Sequence, residues 1–361
     1  MKNGLLLFLL SLISALIFIT SCKKSASSPS VTSIKGWQKV GDLTAGNQFA
    51  AITKDAADNI YVGGLLIDSA GNSYVAKWNG TSWSHLVFIK GPADVTCFTT
   101  DASNNVYAFI QAGTSSVTEY VAKWNGSSWV SLVDTHGGTS VTPDGLSMAC
   151  DNTGNVYVAV GHQEVDKWNG TTWANITGSD TLFTNGQITS ITSDTTGNIY
   201  VGIINLGHGS IPGVAKWNGS SWSPVGNVGG MINSVASDMY GNIYAGGKAA
   251  AVPVPNAISK WDGSAWTNIG GISSYNSGFG EINCITTDAA GNVYACGKEL
   301  RDNLGHNIVE KWDGTSWSIL NAGMVINMPI MAITVDSKGV VYGIGMFYDS
   351  SNRLFVAKYV P

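Results

Sequence analysis

The chain has 361 residues, of which 44 are glycine and only 12% are charged, while aromatic residues make up 10%. This composition favours short strands joined by tight turns over amphipathic helices, which need a charged face. The formal net charge of -5 lacks the basic excess that nucleic-acid binding requires, so nucleic acid is not expected as a partner.

The N-terminus predicts export and a lipid anchor. After a short cationic start, residues 5–19 form an apolar run that is too short to span a bilayer comfortably and is typical of a secretory signal. The run ends in Ile-Thr-Ser-Cys, which resembles the lipobox of bacterial lipoproteins, a family that is cut before the cysteine and lipidated on it. The alternative is an ordinary signal peptide with a chance cysteine. We expect a signal peptide over residues 1–21, then lipidated Cys22 and a flexible tether over residues 22–35, with the membrane as a partner through the lipid.

Two short motifs alternate along the rest of the chain. The first, Asp-x-x-Gly-Asn-(Ile/Val)-Tyr, begins in full form at Asp151, Asp194, Asp238 and Asp288 and in weaker form at Asp55, Asp101 and Asp336. The second, Lys-Trp-(Asn/Asp)-Gly-x-x-Trp, begins at Lys77, Lys123, Lys167, Lys216, Lys260 and Lys311. The period of about 43 to 50 residues is typical of a four-stranded propeller blade.

Each repeat predicts four strands, as the sixth copy illustrates. Residues 282–287, 292–296, 306–312 and 317–320 are β-rich runs separated by turn signals. The Asp that opens the first turn bonds backbone amides ahead of it, and the Gly or Asn at the end of the turn accepts a positive φ. The two tryptophans beside the second turn are expected to face each other, where an aromatic pair adds about 0.5–1.5 kcal/mol.

The last copy predicts how the ring closes. It ends at Tyr359 without a second Trp, and the segment around Trp37 reads like the fourth strand of an earlier copy. The N-terminal strand should therefore complete the last blade, with Trp37 near Tyr359. We predict an all-β fold, a seven-bladed β-propeller of four-stranded blades over residues 36–361. The aromatic residues assigned to structural positions are Trp78, Trp83, Trp124, Trp129, Trp168, Trp173, Trp217, Trp222, Trp261, Trp266, Trp312, Trp317, Trp37 and Tyr359.

Both motifs resemble known repeats. The Asp-x-x-Gly-Asn motif resembles SBBP β-propeller repeats, the propellers of hybrid two-component sensors, and NHL repeats. The Lys-Trp motif is similar to the repeats of bacterial and fungal surface proteins related to cortical polarity markers. The resemblance covers residues 36–361 and implies the propeller fold, but it brings no catalytic residue with it, since propellers host enzymes, lectins and scaffolds alike.

Ligand recognition is predicted on the face opposite both motifs, which carries the loops between second and third strands. These loops differ between copies, and variable loops on a regular scaffold are where binding usually resides. They are about residues 63–73, 109–118, 160–163, 203–212, 246–256, 297–307 and 343–353. The candidate ligand-binding side chains are Arg301, Arg353, His306, Asp302, Asp349, Glu299, His208, His162 and Lys248.

The chemistry of these candidates favours binding. The chain has two arginines, in corresponding loops of neighbouring blades, and the pair could hold a carboxylate or a sulfate in forked geometry. The alternative is that loops carry the charge of any soluble protein. No two loop histidines have a spacing that brings metal ligands together, so we expect no metal and no cofactor.

Cys284 and Cys296 fall on two strands of one predicted hairpin. A disulfide between them is conceivable in an exported protein, and buried thiols are the favoured alternative.

The leading hypothesis is a non-catalytic, monomeric lipoprotein of the cell envelope, anchored to the outer membrane and either periplasmic or surface-exposed. Its propeller face would bind a glycan, a peptide or a protein partner. One alternative is an extracellular hydrolase or lyase acting on sugars or lactones, with Asp302, Asp349, Glu299 and His306 at the mouth of the central channel. The other alternative is a structural scaffold of an envelope complex.

Overall fold

Seven four-stranded antiparallel sheets make up the propeller. The computed structural model describes residues 36–45, 48–113, 118–132, 147–160, 163–178, 180–184, 186–205, 213–228, 231–248, 257–271, 281–298, 300–302, 304–320 and 329–360. All of them belong to one compact unit, Lys35–Pro361. The fold predicted from the sequence, an all-β propeller of seven blades, is confirmed.

The strands follow the repeats in chain order. The strand that precedes blade 1 is β1 (Gly36–Ala45). Blade 1 contains β2 (Phe49–Lys54), β3 (Ile60–Gly64), β4 (Asn72–Trp78) and β5 (Trp83–Lys90). Blade 2 contains β6 (Ala93–Thr100), β7 (Val106–Ala112), β8 (Thr118–Trp124) and β9 (Trp129–Ser131). Blade 3 contains β10 (Ser147–Cys150), β11 (Val156–Val160), β12 (Glu164–Trp168) and β13 (Trp173–Asn175).

The remaining blades have the same plan. Blade 4 contains β14 (Gly186–Ser193), β15 (Ile199–Asn205), β16 (Val214–Trp217) and β17 (Trp222–Pro224). Blade 5 contains β18 (Met231–Ser237), β19 (Ile243–Lys248), β20 (Ala257–Trp261) and β21 (Trp266–Gly271). Blade 6 contains β22 (Glu281–Thr287), β23 (Val293–Lys298), β24 (Val309–Trp312) and β25 (Trp317–Leu320). Blade 7 contains β26 (Ile330–Val335), β27 (Val341–Gly345) and β28 (Leu354–Val360), with β1 as its fourth strand.

The ring closes as predicted. The strand β1 pairs antiparallel with β28, and Trp37 lies directly opposite Tyr359 with ring centroids 5.6 Å apart. The first and last strands of the chain therefore share one blade, so no blade is left with an unpaired half.

Tryptophan also joins each blade to the one before it. The Trp that opens each fourth strand donates its indole N–H to a backbone carbonyl in the fourth strand of the preceding blade or just beyond that strand, over 2.6 to 3.1 Å. The seventh of these bonds runs from Trp37 to Leu320 and completes the circle. In the other six blades the same Trp also faces its predicted partner across the hairpin, with ring centroids 5.3 to 5.6 Å apart. These tryptophans therefore pack within their own blade and bond to the preceding one.

The turn between first and second strands needs a positive φ at its fourth position. Glycine takes this conformation in five copies, for example Gly197 with φ 88°. In the two weaker copies Asp58 and Asn104 adopt it instead, with φ 61° and 63°. Short polar side chains tolerate the left-handed region, so the weak copies keep the same turn.

The hydrophobic core lies between neighbouring blades. Every residue of the second strands β3 and β11 is buried, because each blade is covered on both faces. The fourth strands are partly exposed, as in β5. In the described part of the chain the one helix is a single 3-10 turn, Thr181–Phe183, and none is long and apolar enough to cross a membrane.

Blade 6 departs from the predicted strand boundaries. Its third strand, expected over residues 306–312, is regular only over Val309–Trp312. The residues before it form a small hairpin, because the carboxylate of Asp302 accepts the amides of Leu304 and His306 and so holds a tight turn.

Candidate functional site

The two ends of the propeller differ in chemistry. We call one end the motif rim: it carries the turns between first and second strands and between third and fourth strands. We call the other end the loop face: it carries the connections between second and third strands and between blades. The antiparallel order of every sheet places both sequence motifs on the motif rim, as predicted.

The Asp of the first motif organises its own turn. The Oδ1 atom of Asp194 accepts the backbone amides of Thr196 and Asn198 at 2.9 and 3.0 Å. Its Oδ2 atom accepts the Asn198 side-chain amide at 2.7 Å and the Tyr200 hydroxyl at 3.2 Å. The same four bonds occur at Asp55, Asp101, Asp151, Asp238 and Asp288.

These bonds shift the pKa values of both partners. Burial alone would raise the pKa of Asp194, but hydrogen bonds from Asn198 and Thr196 outweigh it and hold the pKa below its ordinary value. Burial and the neighbouring Asp194 carboxylate raise the pKa of Tyr200 above its ordinary value. The turn therefore contains a charged carboxylate bonded to a neutral phenol.

The second motif packs on the first. Lys216 lies opposite Tyr200 on the adjacent strand, and its Nζ atom lies 5.4 Å from the centroid of the Tyr200 ring. The Lys–Tyr pairs of blades 1, 2, 3 and 6 have the same arrangement. Each of these blades thus joins a carboxylate, a phenol and an ammonium group in one internal cluster, and the motif residues are used within the blade.

Within the described residues, the loop face repeats the Asp turn in three blades. Asp68, Asp302 and Asp349 each accept the backbone amides two and four residues ahead, as the motif Asp does. Each turn ends a short hairpin between second and third strands. We call these the ridge hairpins, residues 64–73, 300–302 with 304–308, and 346–355. They belong to blades 1, 6 and 7, which are neighbours around the ring because blade 7 packs against both of the others.

The ridge hairpins were not predicted as a set, although one of them has a sequence signal. Residues 68–72 read Asp-Ser-Ala-Gly-Asn and match the motif turn at residues 288–292 in all but one position. Buried side chains anchor each hairpin to its blade, namely Leu66, Leu300 and Phe347.

Two of the predicted ligand-binding carboxylates, Asp302 and Asp349, accept the backbone amides of these turns. Asp302 pairs with the ring nitrogen of His306 at 3.1 Å. Asp349 accepts from Lys39 at 3.2 Å and lies 3.4 Å from a guanidinium nitrogen of Arg353. The backbone amide of Arg353, together with Lys39, holds the pKa of Asp349 at about 2.

The other candidates are placed as follows. Arg301 is half-buried and bridges to Asn307 within its hairpin, and the side chain of Arg353 is 56% exposed. Lys248 ends β19 and is exposed. Glu299, His162, His208 and Cys22 lie outside the described residues. Across the residues that the structure places, no group of three or more His, Cys, Asp or Glu side chains could hold a metal ion.

Large apolar side chains are exposed on the ridge hairpins. Leu304 is 79% exposed, Tyr348 46%, Met346 45% and Ile67 42%. In blade 7, Met331 is also 47% exposed near the loop-face end of β26. A soluble protein rarely groups such side chains on neighbouring elements without a partner for them.

The central channel contains a cavity of about 320 Å³. Every lining residue lies one to three positions before an Asp turn, so the cavity occupies the half of the channel beside the motif rim. Asp302, Asp349 and His306, expected at a channel mouth in the enzyme alternative, are not among these residues. The lining is made of hydroxyl and small or apolar side chains: Ile52, Thr53, Phe98, Thr99, Thr100, Met148, Thr192, Val235, Ala236, Ser237, Ile285, Thr286, Thr287, Ile333 and Thr334.

The hydroxyls of the channel are of two kinds. Those one position before the Asp turn bond the preceding blade, as when Thr287 donates to the Ser237 carbonyl at 2.7 Å and Ser237 donates to the Ser193 carbonyl at 2.6 Å. Those two positions before the turn include Thr286 and Thr334, whose hydroxyls have no protein partner within the described ranges.

Comparison with known proteins supports the fold alone. No protein-family model matches the chain, and no curated protein matches it in sequence. Among solved structures, virginiamycin B lyase from Staphylococcus aureus, as a catalytically inactive variant with quinupristin, has a TM-score of 0.61 at 9% identity, covering 90% of this chain and 99% of that one. YCF48 from Cyanidioschyzon merolae has a TM-score of 0.56 at 14% identity, covering 90% and 99%. The GH74 enzyme of Niastella koreensis has a TM-score of 0.59 at 15% identity, covering 86% of this chain and 53% of that one.

Proposed function

We propose that this chain is a binding module of the cell envelope, held to a membrane by lipid on Cys22, that recognises a glycan, a peptide or a protein through its loop face. The observation that carries the proposal is the set of ridge hairpins. Three neighbouring blades project the same rigid turn, and they carry exposed apolar side chains beside an exposed arginine. Aromatic and arginine side chains on rigid elements are the usual anchors of recognition surfaces.

Binding is favoured over catalysis by how the ionisable groups are used. The carboxylates of Asp302 and Asp349 accept hydrogen bonds from their own turns, which fixes the hairpins. The channel cavity offers hydroxyl groups and apolar contacts. The hydrolase or lyase alternative and the scaffold alternative are outcomes of the experiment below.

The path of the chain supports an orientation for the anchored protein. Gly36 pairs with Val360 at the motif-rim end of blade 7, whereas Ala45 pairs with Leu354 at the loop-face end. A tether ending at residue 35 would therefore reach the propeller on its motif rim. A propeller anchored through the chain before Gly36 would present its motif rim to the membrane and its loop face away from it.

The test is binding by the purified full chain in detergent to glycan arrays, envelope polysaccharides and an envelope protein extract. Two double variants remove the loop-face groups, Arg301→Ala with Arg353→Ala, and Leu304→Ser with Tyr348→Ser. The matched control is Met239→Ser with Tyr240→Ser, since these residues are 55% and 68% exposed in a motif-rim turn. We expect about a tenfold or greater loss of affinity in at least one loop-face variant and none in the control.

The other outcomes separate the alternatives. Release of product from a bound sugar or lactone would replace the binding module by the enzyme. Retention of protein partners that neither loop-face variant releases would favour the scaffold. Binding that survives both loop-face variants would contradict the assignment of this face.

The anchor and the orientation have their own measurements. Incorporation of a labelled fatty acid should be lost in Cys22→Ser, and a chain that is never labelled would contradict the anchor. With the lipidated chain in vesicles that contain a quencher attached to lipid, a dye on Tyr240→Cys should be quenched more than a dye on Leu304→Cys. The reverse order would contradict the proposed orientation.

A further inference from the structure

Two cysteines of blade 6 face each other across neighbouring strands. Cys284 lies on β22 and Cys296 on β23, and the antiparallel register places them directly opposite each other. Side chains in such positions have Cβ atoms about 4.5–5.5 Å apart, and closer in non-hydrogen-bonded pairs. A disulfide requires about 3.5–4.5 Å. The fold therefore places the two side chains within reach of a disulfide, and the structure holds both as thiols.

Both cysteines also contact blade 7. Cys296 and Cys284 pack in one apolar cluster with Ile333, and the Cys284 thiol donates a hydrogen bond to the Ile333 carbonyl over 3.8 Å. The neighbouring Cys296 thiol lowers the pKa of Cys284, and burial raises the pKa of Cys296. The thiol pair therefore lies where blade 6 meets the blade that closes the ring.

Blade 2 provides an internal comparison. Cys97 occupies the position of Cys284, four residues before the Asp of the turn, but the residue opposite it is Phe109. Burial raises the pKa of Cys97 to about 12. The fourth described cysteine, Cys150, lies opposite Val156. Among the cysteines that the structure places, only Cys284 and Cys296 lie opposite another thiol.

We propose that Cys284 and Cys296 form a cross-strand disulfide in the mature protein. The proposal rests on the export that we proposed above, because disulfides persist in oxidising compartments. The bond would join the first two strands of blade 6 next to the blade that closes the ring, where Cys284 contacts Ile333. A cross-link between these strands restricts the unfolded chain and so raises the free energy of unfolding of blade 6, which contacts the blade that closes the ring.

The chemistry balances with a disulfide-bearing oxidant. The Cys284 thiolate attacks one sulfur of the oxidant, forming a mixed disulfide and releasing one thiolate. Cys296 loses its proton and attacks the Cys284 sulfur, which forms the protein disulfide and releases the second thiolate. Two protein thiols are oxidised and one external disulfide is reduced to two thiols. Since both thiols are largely buried, the reaction belongs to the folding stage, before the blades close over the pair.

The test counts thiols in the full chain with Cys22→Ser, which leaves Cys97, Cys150, Cys284 and Cys296. In the first arm the reduced chain is refolded in detergent with reduced and oxidised glutathione, and the soluble folded fraction is alkylated in denaturant. We expect alkylation at Cys97 and Cys150 alone, a mass lower by two hydrogen atoms, and a linked peptide pair containing Cys284 and Cys296. Alkylation at all four positions would overturn the proposal, as would a link to Cys97 or Cys150.

Two variants locate the bond. The addition of Cys97→Ser with Cys150→Ser should leave the linked pair intact, and the addition of Cys284→Ser should leave Cys296 alkylated. If Cys296 still escaped alkylation after Cys284→Ser, burial rather than a bond would explain its protection.

A second arm separates this proposal from the proposed function. The chain with its own leader is produced in an exporting bacterium and alkylated before lysis. A disulfide in the first arm with free thiols in the second would contradict export and keep the bond as a property of the fold. Free thiols in both arms would overturn the disulfide and leave the lipid anchor to be judged by the fatty-acid labelling.

Discussion

The motif rim and the loop face use the same turn for different purposes. Asp194 on the rim and Asp68 on the loop face both accept two backbone amides and one Asn side-chain amide. Of the two, only Asp194 also accepts a hydrogen bond from a tyrosine hydroxyl, that of Tyr200. The ring of Tyr200 in turn contacts Lys216 of the second motif. On the rim the turn is one part of a network inside the blade, whereas on the loop face it ends in a projecting hairpin.

This difference indicates which side chains of the fold are available to bind a partner. The motif side chains of the rim, such as Asp194 and Tyr200, are bonded within their own blade, so changes there act on stability. Ridge-hairpin side chains such as Leu304 and Tyr348 project into solvent from rigid turns, so changes there act on recognition. The predictions below test this division, beginning with the largest effect.

The closing tryptophan should contribute most to stability. Trp37→Ala removes a buried indole, its hydrogen bond to Leu320 and its contact with Tyr359. Truncation of a buried aromatic residue costs about 3–5 kcal/mol, and we expect a loss of that size in urea unfolding. Trp37→Phe should restore part of the packing without the hydrogen bond. A loss below about 1 kcal/mol for Trp37→Ala would mean that the pairing of β1 with β28 does not limit the stability of the propeller.

The rim Asp turn should come next. Asp194→Ala leaves the buried Tyr200 hydroxyl without its acceptor, and an unsatisfied buried polar group costs about 1–3 kcal/mol in the free energy of unfolding. Tyr200→Phe in the same chain should recover part of the loss, which a double-mutant cycle measures. The matched change Asp68→Ala, in a turn without the phenol, should shift the urea midpoint less. Equal shifts at the two sites would remove the distinction between rim and loop face.

Much of this fold could be predicted from the sequence because its contacts repeat. Seven copies of one turn and six of one hairpin revealed the blades, and the missing half of the last copy revealed the pairing of Trp37 with Tyr359. The packing of Lys216 on Tyr200 was not predicted, since it depends on the register between two strands.

The candidate site was harder to predict for two physical reasons. The ridge hairpins at Asp68, Asp302 and Asp349 lie outside the repeated motifs. Among the described residues they occur in three blades only, so no regular period in the sequence reveals them. The channel lining depends on which side of each first strand faces the axis. In blade 6 a bulge between Ile282 and Cys284 shifts the register, so the alternation of side chains in the sequence does not predict it.

Acid should reduce the stability that Asp194 contributes on the motif rim and that Asp349 contributes on the loop face. Added salt should affect the two contributions differently. The pKa values of Asp194 and Asp349 are lower in the folded protein than their ordinary value. Their contribution to stability is therefore complete above about pH 4 and is lost as the pH falls through the folded-state pKa values. Asp349 contacts Lys39 and Arg353, whereas Asp194 is bonded to neutral groups.

The measurement is the midpoint of thermal unfolding from pH 6 to pH 2 at low and high salt. We expect Asp194→Ala to reduce the acid-induced loss at both salt concentrations, because hydrogen bonds to neutral partners are little screened. Asp349→Ala should reduce it mainly at low salt. If high salt abolished the effect of Asp194→Ala as well, long-range charge rather than the turn would explain its low pKa.

The smallest effect should come from two adjacent threonines of the channel. Thr287 donates to the Ser237 carbonyl of the preceding blade, while Thr286 lines the cavity without a protein partner. Valine keeps the branched shape and removes only the hydroxyl. Thr287→Val should therefore lower the free energy of unfolding by about 0.5–1.5 kcal/mol, and Thr286→Val should change it by less than about 0.5 kcal/mol. The two residues are adjacent on one strand, so each variant serves as the control for the other. Equal losses would mean that the hydroxyl bond between blades 5 and 6 adds no stability. The turns and tryptophans alone would then stabilise the rim.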